Sequence, residues 1–173
     1  DIEKVKGAFY GTLLTNHDSF TCEDAKKLKR PFTLFEKNAE KTKLAGSLYL
    51  TLPGIPFVYY GEEFGMDTYT ASKSDRWIRS CMQWDDSNNS GFTSAPKPWN
   101  MLNENYKDYN IKNQDKDDNS ILNHYRKIIK LRTENPALSL GSFETINIVS
   151  KNKTKIAVYA REYENNKFMI VHN

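Results

Sequence analysis

The stretch "IPFVYYG", residues 55 to 61, limits the possible folds more than any other part of the chain. It is apolar without the alternation of a half-exposed strand. It also carries the β-branched and aromatic residues that strands favour. Such a run reads as a strand covered on both faces, which is the environment of a parallel sheet. Just before it, "EKNAEKTKLAGSLYLTL" (36 to 52) places Leu44, Ala45, Leu48, Tyr49 and Leu52 on one face at helical spacing. Pro53-Gly54 stops that helix. Further upstream, "AFYGTLLT" (8 to 15) reads as a second short buried strand that ends at Asn16. Strand, helix, strand is a β/α unit, so the fold class is α/β.

The rest of the chain changes character twice. Residues 62 to 118 are rich in Asn, Asp, Gly, Pro and Trp and predict a long irregular excursion. Trp77, Trp84, Phe92, Trp99 and Tyr106 argue against disorder there; the three tryptophans can stack on the apolar faces of sugar rings in a site mouth or, the reading favoured for most of them, fill a small core under the loop. "SILNHYRKIIKLR" (120 to 132) predicts a second amphipathic helix with Ile121, Leu122, Tyr125, Ile128 and Ile129 on its apolar face. Asn119 or Ser120 can cap its start, Lys130 and Arg132 suit its end, and Asn135-Pro136 terminates it. Beyond that, "TINIV", "KIAVYAREY" and "KFMIVHN" predict short antiparallel strands.

Charge and cysteine usage exclude several function classes. The 25 basic and 22 acidic residues nearly cancel, and a net charge of +3 gives no footprint for nucleic acid. Lys26, Lys27, Lys29 and Arg30 form the densest basic group and read as a solvated face. No apolar stretch reaches the ~20 residues that span a bilayer. Cys22 and Cys81 have neither metal-ligand spacing nor a disulfide pattern. An opening Asp1 and a closing "KFMIVHN" read as the edges of a longer chain, so compartment stays open.

The chemistry-bearing residues gather after the two strands. Asn16-His17-Asp18 follows the first, and Glu62-Glu63 follows the second. In parallel α/β folds the carboxyl ends of strands hold the site. Carboxylates at neighbouring strand ends are the equipment of glycoside hydrolysis, in which one protonates the leaving oxygen and another attacks or stabilises the cationic centre. The plainer alternative makes Asp18 a turn residue and Glu62 and Glu63 ties between loops. Arg76 and Arg79, in "SDRWIRSCMQWD", can fork onto hydroxyls or carboxylates, or pair with Asp75, Asp85 or Asp86.

"LLTNHD", "LTLPGIPFVYYGEEFGM", "IRSCMQWDDSNNSGFT", "PW…N.NY" and "SILNHYRKIIKLRTENPALSLGSF" come in an order and spacing that resembles the α-amylase family of glycoside hydrolases, family 13. The likeness is greatest to its α-glucosidase, oligo-1,6-glucosidase and amylase branch, and it runs from about Gly7 to Phe143. The resemblance implies the C-terminal portion of a (β/α)8 TIM barrel, with strands seven and eight and helices seven and eight. The barrel part is residues 1–136 with its long loop at 62–118, and residues 137–173 begin a C-terminal antiparallel β-sandwich.

Carried over, Asp18 resembles the family's third catalytic carboxylate, which holds ring hydroxyls and favours the distorted sugar. His17 resembles the histidine that hydrogen-bonds the sugar at the cleavage subsite. Arg79 resembles the arginine of an Arg-Thr-Pro-Met-Gln-Trp motif that contacts the terminal glucose. Here Ser80 and Cys81 replace Thr and Pro, which puts the aim of Arg79 in question. The family's nucleophilic Asp and acid/base Glu come from earlier strands, and neither of their patterns is in this sequence. Glu62 and Glu63 are structural in the family and do not fill that vacancy.

The implied function is part of a retaining glycosidase that cleaves α-glucosidic bonds in starch-derived or malto- and isomalto-oligosaccharides, with these residues alone inactive. Its partners would be an α-glucan or oligosaccharide and the remainder of the barrel, with no nucleic acid and no membrane. No cofactor or metal site is assigned, since a calcium loop would lie in the parent enzyme outside this stretch. Two alternatives stay open: a transglycosylase such as a trehalose synthase, and a non-catalytic homologue acting as a binding or accessory subunit. Linkage preference, exo or endo action and oligomeric state are open as well.

Overall fold

The computed structural model describes residues 9–17, 29–68, 76, 78–149 and 155–173. Calls on Asp18, Cys22, Lys26, Lys27, Asp75 and Trp77 lie outside the described residues. The elements run β1 (Gly11–Thr12), α1 (Pro31–Leu34), α2 (Ala39–Thr51), β2 (Ile55–Pro56), α3 (Ile111–Asp115), α4 (Ile121–Glu134), α5 (Pro136–Ser139), β3 (Ser142–Thr145), β4 (Ala157–Tyr163) and β5 (Asn166–His172). This is a mixed α/β chain that divides into two compact units. One takes in residues up to 12, 47–57 and from 127 onward, and the other takes in 13–46 and 58–126.

In the first unit β1 and β2 pair in parallel, Gly11 with Ile55 and Thr12 with Pro56. The direction is as the sequence predicts, but the strands are far shorter and one of their faces is exposed. Ile55 is 52% and Phe57 58% exposed, and Phe9, Leu13 and Val58 are also exposed. A parallel strand is buried only when helices and further strands lie over it. No third strand lies beside this pair among the described residues, and Ile55 and Phe57 lie on its exposed face.

The other sheet of this unit is antiparallel, in the order β3-β4-β5. Strand β3 is Ser142–Thr145 rather than "TINIV", and β4 pairs along its whole length with β5, Ala157 opposite His172 and Tyr163 opposite Asn166. Glu164 takes a left-handed φ of 51° in the turn between them. Two buried arginines hold this unit. Arg132, near the end of α4 where its charge was expected to suit the helix, is buried and donates to the carbonyls of Leu50, Leu52 and Gly54 at 2.8, 2.8 and 2.5 Å. Arg161 donates to Thr51, Ser142 and Gly141 carbonyls at 2.8, 2.9 and 3.0 Å. Burial lowers the pKa of both guanidinium groups, and the fork of donors offsets that cost.

Helix α2 starts three residues later than its periodicity predicts. Glu36 and Lys37 take left-handed φ values of 58° and 60°, which a right-handed helix cannot include. Asn38 then accepts from the Lys41 N–H at 2.9 Å and caps the helix. The buried face also differs. Leu44 and Leu48 are exposed, whereas Thr42, Tyr49 and Leu50 are buried. In the second unit Gly46 explains this: a Cβ there would lie 2.7 Å from the Tyr125 ring, so the lack of a side chain lets the ring in.

Helix α4 starts one residue later and ends two residues later than expected, and it is capped as expected. The Ser120 Oγ accepts from the Asn123 N–H at 3.1 Å. Ile121, Leu122 and Tyr125 are buried, while Ile129 is exposed. In the second unit Phe64, Met66 and Leu122 form a core against which Met82 and Ile111 pack. The 62–118 excursion is built rather than loose. Besides α3, its described residues include short 3-10 turns at Glu62–Phe64, Asn88–Gly91 and Glu104–Lys107.

Candidate active site

The residues after the apolar run 55–61 organise the site from the backbone up. Gly61 takes φ 85°, a conformation that favours glycine, and turns the chain into the 3-10 turn that begins with Glu62. Glu62 is 1% exposed. Its Oε1 accepts from the Tyr125 hydroxyl at 3.1 Å, and its Oε2 accepts from the Thr15 hydroxyl at 3.4 Å. Thr15 is buried as well, and Asn16 and exposed His17 follow it directly. Glu62 therefore ties the segment leading into Asn16-His17 to helix α4. This is the loop-tying role that the sequence allows it.

Tyr59 and Tyr60 do the same for the segment that carries Arg79. The Tyr59 hydroxyl donates to the Ile78 carbonyl at 3.1 Å, and the Tyr60 hydroxyl donates to the Ser80 carbonyl at 2.8 Å. Both neighbours of Arg79 are thus pinned to one stretch of chain. Burial pushes the Tyr59 phenol up to about 12, so it stays a donor. Sequence reasoning missed these roles, because a "YY" pair in an apolar run looks like core.

Arg30 closes the arrangement and, unlike the solvated loop or helix face expected for its basic group, lies inside. It is fully buried. Its Nη1 donates to the Tyr60 carbonyl at 2.5 Å and its Nη2 to the Ile78 carbonyl at 2.6 Å. The guanidinium lies 4.8 and 4.7 Å from the Tyr59 and Tyr60 ring centroids, in cation–π contact. Burial lowers its pKa, and the two tyrosines and then Glu63 and Glu62 oppose that shift. Burial raises the pKa of the Glu63 carboxyl, against backbone N–H donors and the Arg30 charge. Among sequence signals, only the Pro31-Phe32 that follows Arg30 hinted that this end of the basic group is inside.

The Arg79–Trp84 stretch is held by amide side chains. Gln83 is fully buried; its Nε2 donates to the Tyr109 carbonyl at 2.5 Å and its Oε1 accepts from Asn103 at 3.2 Å. The departures from the expected motif are absorbed here. The Ser80 Oγ accepts from Asn103 at 2.9 Å. The Cys81 N–H, a donor that proline lacks, reaches the Met101 carbonyl at 3.2 Å. Cys81 is buried, and burial raises its pKa, as suits an inert thiol. The surface-pair alternative for Arg79 loses two candidates: Asp86 pairs with Lys112 at 3.3 Å, and Asp85 accepts from Ser87.

Trp84 and Trp99 do not fill the small core expected for most of the tryptophans. Trp99 is 70% and Trp84 50% exposed, and Phe92 is exposed too. The polar network around Gln83, Asn103 and Asn110 does the holding that those rings were expected to do. The loop also lines an open, polar depression of about 990 Å³ between Ser87, Asn89, Thr93, Ser94 and Tyr106.

Chemically, the described residues offer an exposed imidazole and a guanidinium whose chain neighbours are fixed. These are groups that bind hydroxyl-rich or anionic ligands. Among the described residues no group of three or more His, Cys, Asp or Glu could hold a metal ion. No helix among them is long and apolar enough to cross a membrane.

A parallel strand pair whose following segments carry the polar side chains is the arrangement of an α/β enzyme. Residues 2–141 match the family described as "Alpha amylase, catalytic domain", and the chain belongs to the α-amylase family. It is 40% identical over 162 residues to α-amylase 3 of Dictyoglomus thermophilum, which covers 92% of this chain and 29% of that protein. It is 32% identical over 167 residues to the oligo-1,6-glucosidase of Halalkalibacterium halodurans, covering 78% of this chain and 29% of that enzyme. Among solved structures, a trehalulose synthase mutant in complex with Tris aligns at a TM-score of 0.76 and 26% identity, over 96% of this chain and 35% of the other. The chain thus spans under a third of the length of the curated relatives it matches.

Proposed function

We propose that this chain is the C-terminal portion of a (β/α)8 catalytic barrel with the start of a β domain, from a retaining glycosidase acting on α-glucosidic bonds. Residues 1–136 would supply the seventh and eighth strands and helices with the 62–118 loop, and residues 137–173 the first strands of an antiparallel sandwich. The observation that carries the reading is the convergence on residues 59–62. Tyr59 and Tyr60 fix the chain on either side of Arg79, and Glu62 fixes the chain before His17. This supports reading His17 and Arg79, far apart in sequence, as substrate contacts whose flanking chain is held by one four-residue stretch.

In this reading Asp18 binds ring hydroxyls of the sugar and favours its distorted, transition-state-like form. His17 hydrogen-bonds the same sugar, and Arg79 contacts the glucose beyond it. The nucleophile and the acid/base that complete double displacement come from other strands of the parent enzyme. The exposed Ile55, Phe57 and Leu13 are the surface that the rest of the barrel covers.

The test is turnover of malto- and isomalto-oligosaccharides by the complete reading frame and by residues 1–173 alone. The complete enzyme should be active, Asp18→Asn should lower kcat at least about a thousandfold, and the 173 residues alone should be inert. An inactive complete protein would favour a binding or accessory role. The alignment with a trehalulose synthase supports a second reading, glucosyl transfer to a sugar instead of water. Product analysis separates the two: free glucose from hydrolysis, an isomerised or lengthened saccharide from transfer.

A further inference from the structure

We infer that Glu62 is a positioning residue for His17, acting through Thr15. The inference rests on the glycosidase reading and adds to it a part that the binding residues do not themselves supply. Thr15 is buried and lies two residues before His17, so its hydroxyl fixes where the exposed imidazole leaves the protein. That hydroxyl reaches Glu62 Oε2 at 3.4 Å. The other oxygen of the same carboxyl is held by the Tyr125 hydroxyl at 3.1 Å, and Tyr125 is itself buried against Gly46.

The Glu62 side chain brings two acceptor oxygens into one buried group, so it accepts from the Thr15 and Tyr125 hydroxyls at once. The Thr15–Glu62–Tyr125 chain thus runs from the scaffold helix to the substrate-facing segment. It transmits the rigidity of α4 to a side chain on an exposed turn.

The experiment uses the complete enzyme with Thr15→Val, Glu62→Gln, Glu62→Ala and Tyr125→Phe. Each is read by kcat and KM and by the imidazole resonances of labelled histidine. Thr15→Val keeps the shape and removes the hydroxyl, so it should lower kcat about ten- to a hundredfold and shift the His17 resonance. Glu62→Gln can still accept from Tyr125 and pair with the Thr15 hydroxyl, so it should rescue both readouts to within about threefold of the wild type. Should Glu62→Ala fail to fold, Thr15→Val still decides the matter. A folded Thr15→Val enzyme with wild-type kcat and an unmoved His17 resonance overturns the inference. A wild-type enzyme without turnover would overturn the glycosidase reading instead, and the resonance would still report whether Glu62 positions His17.

Discussion

The irregular 78–114 segment and the regular β1–β2 pair are held in opposite ways. The strands have the backbone pairing that defines order, yet Ile55 and Phe57 are more than half exposed. The loop has almost no regular structure, yet Gln83, Asn103 and Asn110 are buried and hydrogen-bonded, Gln83 and Asn110 to main-chain carbonyls and Asn103 to the Ser80 and Gln83 side chains. The lesson is that satisfied polar groups and burial make a segment rigid, whatever its shape. A strand pair without neighbours is two hydrogen-bonded edges that need cover.

The largest effect should come from breaking the loop side of this contrast. Arg30→Met leaves the Tyr60 and Ile78 carbonyls buried without their charged donor, and should cost about 3–5 kcal/mol in urea unfolding. Less than about 1 kcal/mol would mean that the loop does not depend on its buried guanidinium.

Next in size is Gly46→Ala, whose new methyl group would meet the Tyr125 ring at 2.7 Å. It should destabilise by about 1–3 kcal/mol, read as a lowered Tm. A neutral result would show that helix α2 can shift away and that its buried face is soft.

His172 gives the contrast a pH axis. Its Nε2 lies 3.0 Å from the Tyr159 hydroxyl and 3.3 Å from that of Thr51, and burial lowers its pKa below the ordinary 6.5. The unfolded chain therefore takes up the proton first as pH falls. The stability this group contributes is complete above pH 6.5 and drains away below it. A His172→Asn variant should lose that slope in Tm against pH between 7 and about 5. An unchanged slope would assign the acid sensitivity elsewhere.

The smallest effect tests the strand side. Phe57→Ser in residues 1–173 should change stability by no more than about 0.5 kcal/mol, because the ring is 58% exposed. It should reduce self-association in sedimentation, since the patch it belongs to is apolar. In the complete protein the same change should be severe. Equal effects in both would mean that nothing covers the pair, and the barrel assignment would fall.

What the sequence determined by itself was local. The period of "SILNHYRKIIKLR", the Ser120 cap and the Pro136 stop specify α4, because each acts within a few residues along the chain. The apolar run at 55–61 gave the parallel pairing direction, and the motifs around His17 and Arg79 gave the family. Only the tertiary structure decided that Arg30, Arg132 and Arg161 are inside. Their partners are carbonyls 19 to 110 residues away, and every residue's carbonyl looks the same in a sequence. The buried face of α2 was likewise decided by Tyr125 choosing Gly46, 79 positions upstream. Periodicity names the residues that can be buried, and a partner's shape selects which of them are.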